Sequence, residues 1–326
     1  MRQFLTVLFG GILFIFGGIG LSWGAGKAWS FVAPKLEGTG IRVPSLAAVI
    51  DAITPGDVTG TTVAGIRRAI RYTAGEEEDL INAATNILTG GTGAGGKITA
   101  NAYILEDLTT KTVLSEHNSE RLLPIASLTK LVTAVVARKL IDSDARIELS
   151  PQIINTYGNT AGFRSGETFT ASDLLYPLLM VSSNDAAEAY ARFYGRKAFV
   201  KAMNDLMQTV GAYQTYFADA SGLSDLNEST AKDQAIIIDW IRKNDPAVLA
   251  LTTLKTKTIR THTWENPAHF LSWSYYQGGK NGFTDAADRT SASLFTLGKD
   301  KHTYVVVLLG SENRDADVIK LINKVK

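Results

Sequence analysis

PIASLTKLVTAVVARKL, residues 124–140, combines a helical apolar pattern with a serine and a lysine three residues apart. Its apolar side chains recur at the spacing of a helix with a buried face. Ser127 and Lys130 fall on one side of the first turn, because positions i and i+3 are neighbours on a helix. The positive end of the helix dipole disfavours a lysine there by roughly a few tenths of a kcal/mol. Two explanations are open: Ser127 caps the helix and Lys130 extends to solvent, or the pair performs chemistry.

The composition of the chain excludes several classes of function. The 326 residues are 45% hydrophobic and 20% charged, with a formal net charge of +1, which suffices for one large domain or two small ones. The basic residues are scattered, so nothing favours a nucleic-acid partner. The chain has no cysteine, which excludes disulfides and thiolate metal sites. The four histidines lack the spacing of metal ligands, and we expect neither a metal nor another cofactor.

Residues 1–26 predict an N-terminal membrane anchor. The span 4–24 carries no charge and matches the roughly 20 residues that cross a bilayer. It is longer than the apolar core of about 7–15 residues in a signal peptide, so a retained anchor is favoured over a signal cleaved near Gly24–Ala25–Gly26. Either alternative places the remaining chain on the extracytoplasmic side of the cell membrane, and cleavage would release it as a secreted protein.

Two further regions follow the predicted anchor. Residues 27–97 are interrupted by prolines and end in TGGTGAGGK, which is typical of a flexible linker, so they predict a spacer with short helices. Residues 98–326 have strand-like runs at both ends and helices between them. The predicted fold is α/β of the α+β type, with one antiparallel sheet built from both ends, flanking helices and a helical insert. We expect a site where the insert meets the sheet edge.

Three short polar sets interrupt the apolar pattern of the predicted domain. They are Ser127 to Lys130, Ser182–Ser183–Asn184, and Lys280–Asn281–Gly282. Each set alone has a structural explanation, since serine and asparagine cap helices and glycine-rich segments lead into strands. Their order and their surroundings nevertheless favour a common role.

The three sets resemble the motifs Ser-x-x-Lys, Ser-x-Asn and Lys-Thr-Gly of the serine DD-peptidases. The likeness is strongest to the low-molecular-mass D-alanyl-D-alanine carboxypeptidases of the penicillin-binding-protein superfamily. ERLLPIASLTKLVTAVVA, DLLYPLLMVSSNDAAEAYA, SGLSDLNESTAKDQAIIIDWI and GGKNGFTDAA are similar to the family's sequences. The resemblance covers residues 98–326 and implies the fold shared by DD-peptidases and β-lactamases.

The resemblance implies catalytic roles for five residues. Ser127 would attack the carbonyl between two D-alanines of a peptidoglycan pentapeptide and form an acyl-enzyme. A serine hydroxyl needs an adjacent base, and Lys130 can be that base if burial or nearby positive charge lowers its pKa. Ser182 would pass the proton to the leaving amine, and Asn184 would hold the substrate amide and the lysine. Lys280 would supply positive charge for the proton relay and the terminal carboxylate.

The resemblance also implies the substrate-binding segment Asn281, Gly282, Phe283 and Thr284. The backbone N–H groups of Ser127 and Phe283 would form the oxyanion hole. Asn281 departs from the family's threonine, whose hydroxyl helps to bind the substrate carboxylate. This difference bears on the choice of substrate and on affinity for β-lactams, the covalent inhibitors that the resemblance implies.

Two alternatives to a carboxypeptidase stay open. A DD-endopeptidase, which cuts the cross-linked stem peptides of peptidoglycan, uses the same three motifs. A catalytically weak cell-wall binding or penicillin-sensing protein is favoured by Asn281. Asp288, whose negative charge falls near a site for a carboxylate, bears with Asn281 on substrate choice and penicillin affinity. A β-lactamase is disfavoured, because no glutamate motif for a deacylating base is evident.

Overall fold

The protein is described by a computed structural model, which covers residues 97–326 except Asn159. The predicted anchor at 1–26 and nearly all of the spacer at 27–97 lie outside the described residues, and both stay predictions. Within the part that is described, no helix has the length and apolar character needed to cross a bilayer.

Strands occur at both ends of the described chain and as short pairs between them. The strands are β1 (Ala102–Asp107), β2 (Thr112–His117), β3 (Leu123–Pro124), β4 (Arg146–Glu148), β5 (Thr168–Thr170), β6 (Glu228–Ser229), β7 (Thr256–Ile259), β8 (His262–Glu265), β9 (Tyr276–Thr284), β10 (Asp288–Leu297) and β11 (His302–Ser311). A five-stranded sheet has the order β2–β1–β11–β10–β9, and each neighbouring pair is antiparallel. The predicted sheet built from both ends of the domain is confirmed, and β9 is one of its edges.

The helices lie mainly between the two groups of sheet strands. They are α1 (Thr129–Leu140), α2 (Pro151–Ile154), α3 (Ala171–Met180), α4 (Asn184–Tyr194), α5 (Arg196–Val210), α6 (Ala231–Asn244), α7 (Pro246–Thr252) and α8 (Arg314–Ile322). Polar side chains cap the N-termini of several of them. The Thr170 and Thr230 hydroxyls cap α3 and α6, and the Asn313 amide oxygen caps α8.

The central strand β11 separates two apolar cores. Val305, Val307 and Leu309 contribute to the core under the helical insert, whereas Val306 and Leu308 contribute to a smaller core that includes α8. Successive side chains of a strand point to opposite faces, so a strand covered on both faces needs a continuous apolar run. The sequence VVVLL meets this requirement.

Helix α1 departs from the prediction of one buried face, because it is buried on all sides over Thr129–Ala137. A helix that is apolar all round belongs inside a domain rather than on its surface. Ser127 does not cap it: the residue lies in a preceding 3₁₀ turn, Ala126–Leu128, and Leu128 occupies the cap position without a side-chain hydrogen bond. The capping explanation for Ser127 is therefore wrong.

The third polar set, Lys280–Asn281–Gly282, also differs from its structural explanation as a segment that leads into a strand. They lie inside the nine-residue edge strand β9 rather than at the entry to a strand. Gly282 has no side chain, and a Cβ atom built on it would lie 2.8 Å from the backbone nitrogen of Ser127. The strand and the 3₁₀ turn can approach this closely only because position 282 is glycine.

Gly222 fixes a second close approach. Its φ is +85°, and an added Cβ would lie 2.0 Å from the carbonyl oxygen of Ala126. We expect Gly222→Ala to lower the free energy of unfolding by about 2–5 kcal/mol, because backbone strain and a steric clash add. The matched control is Gly298→Ala, where φ is +80° and no atom lies within 4 Å of the added Cβ. Urea denaturation would contradict the prediction if the two variants lost equal stability.

Asp185 gives the fold a pH-dependent cost. The residue is fully buried, and neither carboxyl oxygen has a hydrogen-bond partner among the described residues. Burial raises the pKa of this carboxyl to about 6. The folded state therefore binds more protons than the unfolded state between the ordinary pKa of 3.8 and about 6, and stability falls as pH rises through this window.

We expect Asp185→Asn to lack this component of the pH dependence. As pH rises from 4 to 7, the free energy of unfolding of the wild type should fall by roughly 1–3 kcal/mol relative to that of Asp185→Asn. Urea denaturation at several pH values measures the difference, with Asp205→Asn on the surface of α5 as the control. Parallel pH curves for wild type and Asp185→Asn would contradict the assignment.

Candidate active site

Ser127 is held between the helical insert and the sheet. The turn before it is pinned from both sides, since Thr129 Oγ1 donates a 2.8 Å hydrogen bond to Ala126 O and Thr290 Oγ1 donates one of 3.1 Å to Ile125 O. Ala126 has a φ of +49°, a conformation that costs a non-glycine residue about 1–3 kcal/mol. The surrounding contacts hold this strained turn, and the half-buried Ser127 side chain is presented beside β9.

Lys130 is fully buried one turn further along. Its Nζ lies 2.8 Å from Ser127 Oγ and 2.7 Å from Asn184 Oδ1, and it also donates to the carbonyl oxygen of Ser221. Burial lowers the pKa of this amine well below its ordinary value, and the positive charge of Lys280 lowers it further, against the opposing charge of Asp219. The neutral amine is therefore strongly favoured relative to that of an exposed lysine.

The partners of Lys130 account for every hydrogen of a neutral amine. Such an amine has two N–H groups and one lone pair. Asn184 Oδ1 and Ser221 O are acceptors only, so they take the two hydrogens. The lone pair is then left for the hydroxyl proton of Ser127. This arrangement meets the geometric requirement for a nucleophile and its base, which is a separation of about 2.6–3.2 Å.

Asn184 begins α4 and bridges the insert to a neighbouring loop. Its Nδ2 donates a 2.8 Å hydrogen bond to the carbonyl oxygen of Tyr157, which sets the orientation of the amide and turns Oδ1 toward Lys130. Ser183 caps α4 by accepting a hydrogen bond from Ala186 N. Ser182 lies on the turn before the helix, with a φ of +60° and a half-buried side chain. The second polar set thus combines a cap with a residue aimed at the lysine.

Lys280 brings a second buried lysine to the site from β9. Its Nζ donates a 2.7 Å hydrogen bond to Asn281 O. Burial, with a smaller effect of the positive charge of Arg314, lowers the pKa of Lys280 to about 7. The Lys280 amine is consequently close to half-protonated near neutral pH.

The remaining predicted residues lie on the hairpin formed by β9 and β10. The ring of Phe283 is 53% exposed, and the guanidinium of Arg289 lies 5.6 Å from its centre. The hydroxyl of Thr284 accepts a hydrogen bond from Ala287 N within the turn. Asp288, the first residue of β10, pairs with Thr284 across that turn.

The predicted residues differ in how tightly they are joined. Hydrogen bonds connect Ser127, Lys130 and Asn184, the Gly282 backbone lies against Ser127, and charge couples Lys280 to Lys130. Four predicted side chains have no hydrogen bond to this group among the described residues: those of Ser182, Asn281, Phe283 and Thr284. These four are placed near the others by chain connectivity and strand pairing.

Sequence reasoning missed the loop from Asp219 to Asn227. Asp219 Oδ1 accepts hydrogen bonds from the backbone of Ser221 and Gly222, at 2.7 and 2.6 Å, and this turn aims the Ser221 carbonyl at Lys130. Asn227 braces the loop by accepting from Ala218 N and donating to Asp219 O. The signal was present as a cluster of Asp, Ser, Gly and Asn, which are typical turn residues.

Arg314 was also missed. It starts α8 in sequence, far from the three motifs, yet its positive charge acts on Lys280 and Tyr276. No spacing rule connects positions 280 and 314, because only the sheet and the packing of α8 bring them together.

Comparison with known proteins agrees with this arrangement. The profile of the peptidase S11 family, described as D-alanyl-D-alanine carboxypeptidase, matches residues 89–312. D-alanyl-D-alanine endopeptidase of Escherichia coli (strain K12) is 31% identical over 246 residues, covering 69% of this chain and 76% of that protein. D-alanyl-D-alanine carboxypeptidase DacB2 of Mycobacterium tuberculosis (strain H37Rv) is 30% identical over 200 residues, covering 59% of this chain and 68% of that protein.

The fold is likewise shared with solved structures. Penicillin-binding protein D2 from Listeria monocytogenes, in its cefotaxime-bound form, superposes with a TM-score of 0.64 and 27% sequence identity, covering 70% of this chain and 98% of that one. The predicted fold and the predicted class of enzyme, a serine-type peptidase, are confirmed. The chain belongs to the D-alanyl-D-alanine carboxypeptidase family of serine peptidases, S11.

Proposed function

We propose that the enzyme removes the terminal D-alanine from peptidoglycan stem peptides through an acyl-enzyme on Ser127. The observation that carries this proposal is the buried amine of Lys130, which lies 2.8 Å from Ser127 Oγ and whose pKa is lowered well below its ordinary value by burial. Nucleophilic catalysis by serine needs an adjacent base of this kind. Family membership supplies the class of bond that is cut.

The reaction divides into acylation and deacylation. Ser127 Oγ attacks the carbonyl carbon between the two D-alanines while its proton passes to Lys130 Nζ. The oxyanion is bound by the backbone N–H groups of Ser127 and Phe283, and one such donor is worth about 10²–10³ in rate. The proton then reaches the nitrogen of the departing D-alanine by way of Ser182. Water attacks the acyl-enzyme, and Lys130 takes and returns a proton again.

Strand β9 offers the peptide its binding edge. It is the last strand of the sheet, and an extended peptide can add to such an edge as a further strand. In the structure, Gly279 N donates to Thr252 Oγ1 and Asn281 O accepts from Lys280 Nζ, so a peptide would replace or avoid these contacts. Gly282 lets this backbone lie next to Ser127. The positive charge of Lys280 favours the terminal carboxylate, and the amide of Asn281 supplies a donor in place of the family's threonine hydroxyl.

Cleavage of cross-links is the second candidate activity. It is favoured by the 31% identity to an endopeptidase, compared with 30% identity to the carboxypeptidase described above. The full chain should be incubated with monomeric pentapeptide muropeptides and with cross-linked dimers. Release of free D-alanine from the monomer supports the carboxypeptidase, and conversion of dimer to monomer without free D-alanine supports the endopeptidase.

The cellular position of the enzyme is inferred from its sequence. We place residues 4–24 in the cell membrane as a retained anchor, with 27–97 as the spacer and the catalytic domain on the extracytoplasmic side, facing the cell wall. Release of the full-length protein from membranes without detergent would contradict the anchor.

The acyl-serine assignment predicts covalent labelling of the full-length chain by a fluorescent penicillin. Labelling should be lost in Ser127→Ala and slowed at least about 10²-fold in Lys130→Ala, because the base is removed. Lys139→Ala is the matched control, since this lysine lies exposed on the same helix. Retained labelling in Ser127→Ala would contradict the assignment.

The same experiment separates catalysis from binding alone. If the folded wild type is not labelled, an activated thioester of a D-alanyl peptide should be tested next. Turnover of the ester, lost in Ser127→Ala, points to an Asn281 pocket that excludes penicillin. Absence of turnover supports a binding or sensing protein.

Arg314 should lower the pH of the alkaline limit of the reaction. Lys280 has a pKa of about 7, and Arg314 contributes to this lowering. Arg314→Gln removes the neighbouring positive charge, so the pKa of Lys280 rises and its ammonium persists to higher pH. We expect the alkaline limb of kcat/KM, which reports the free enzyme, to shift to higher pH.

A pH profile of wild type and Arg314→Gln on a D-Ala-D-Ala peptide measures this shift. Arg138→Gln is the control, because Arg138 lies near the C-terminal end of α1, where it pairs with Asp245. An alkaline limb that stays in place or moves to lower pH would contradict the coupling between Arg314 and Lys280.

A further inference from the structure

A cavity of about 340 Å³ lies outside the residues assigned to the chemistry. Tyr213 and Tyr216 line it, and 70% and 56% of their respective surfaces are exposed. Leu122, which is 50% exposed, adds an aliphatic wall. Large exposed apolar groups gathered in a concavity mark a binding site more often than isolated ones do. The cavity is therefore a candidate site for a ligand.

The polar part of the cavity narrows the class of ligand. Gln208 and Gln214 contribute primary amides, which donate and accept hydrogen bonds, and Glu228 contributes a carboxylate. Among the described residues that line the cavity, none is a lysine or an arginine. A phosphate, a nucleic acid or an anionic membrane surface would lack a counter-charge here. A neutral ligand with hydroxyl and amide groups fits the wall.

An N-acetylated sugar combines the required features. Its ring has an apolar C–H face that packs on tyrosine, and tyrosine adds a hydroxyl at the wet edge of the site. Its hydroxyl and acetamido groups match the glutamine amides and the carboxylate in hydrogen-bonding capacity. Leu122 offers a surface for the acetyl methyl group.

The backbone that carries the tyrosines is rigid. Tyr216 and Glu228 exchange backbone hydrogen bonds of 2.9 and 3.0 Å. Gln214 N and Thr215 Oγ1 donate to the carboxylate of Asp233, at 2.8 and 2.9 Å. The site is thus held in place before a ligand arrives, which reduces the entropy lost on binding.

The cavity is also within reach of the active site. Tyr216 precedes Ser221, whose carbonyl contacts Lys130, by five residues, and Leu122 precedes Ser127 by five. Five residues span at most about 18 Å when fully extended. The four residues that connect the scissile carbonyl of a stem pentapeptide to its sugar span about 14 Å. The largest separation that the chain allows is thus of the same order as the length of the stem peptide.

We propose that this cavity binds an N-acetylated sugar of the peptidoglycan glycan strand to which the stem peptide is attached. The inference rests on the proposed function, because it extends the substrate from the peptide to the glycan. Binding of the sugar in this cavity would make glycan-linked stem peptides better substrates than free peptides of the same sequence.

The test compares two substrates on the full-length chain: a free D-Ala-D-Ala pentapeptide and the same pentapeptide on its disaccharide. In Tyr213→Ala/Tyr216→Ala, we expect kcat/KM to fall about 3- to 10-fold on the disaccharide substrate, the range of one or two aromatic contacts, and to stay unchanged on the free peptide. Tyr213→Phe/Tyr216→Phe keeps the ring faces and should retain most of the difference. Phe193→Ala, an exposed aromatic on α4 outside the cavity, is the control.

A second readout is independent of catalysis. Binding of a disaccharide that carries only the first two stem residues should be detected by saturation-transfer NMR with wild type and lost in Tyr213→Ala/Tyr216→Ala. Equal effects of the double variant on both substrates, or unchanged sugar binding, would overturn the proposal. If neither substrate is cleaved, the proposed function fails, and sugar binding alone decides whether the cavity is a glycan site.

Discussion

The site depends on the burial of one amine, that of Lys130. A fully buried ammonium without a paired carboxylate carries a large desolvation penalty, so the lysine loses its proton more readily than at the surface. The carbonyl of Ser221 and the amide oxygen of Asn184 then satisfy its two hydrogens. What remains is a lone pair directed at Ser127. The position that is unfavourable for a charged lysine is suited to a neutral base.

Three separate segments converge on this amine, and the rest of the architecture serves that convergence. The burial of α1 keeps water from the lysine, the first residue of α4 supplies the Asn184 amide, and the loop stabilised by Asp219 supplies the Ser221 carbonyl. The sheet contributes its edge strand, whose Gly282 backbone lies against Ser127. Close backbone approaches at Gly222 and Gly282 hold the loop and the strand against the same 3₁₀ turn.

The site contains two lysines that must be in opposite protonation states. Lys130 is needed neutral and Lys280 charged, and the positive charge of Lys280 lowers the pKa of Lys130. Lys280 has its pKa lowered only to about 7, whereas Lys130 has burial and the Lys280 charge acting on it together. Separation of two pKa values by environment is how a single site supports both a base and a positive charge near neutral pH.

The sequence by itself indicated the fold class, because apolar periodicity is a local signal, and it indicated the enzyme family and the candidate site residues through the resemblance of its three motifs to those of the serine DD-peptidases. It also predicted the two-ended sheet, since strand patterns occur at both ends of the domain. Only the tertiary structure decided that Ser127 is not a helix cap, that α1 is buried on all sides, that the Ser221 carbonyl contacts Lys130 and that the charge of Arg314 acts on Lys280. These depend on contacts between segments far apart in the chain, and such contacts leave no periodicity or spacing in the sequence.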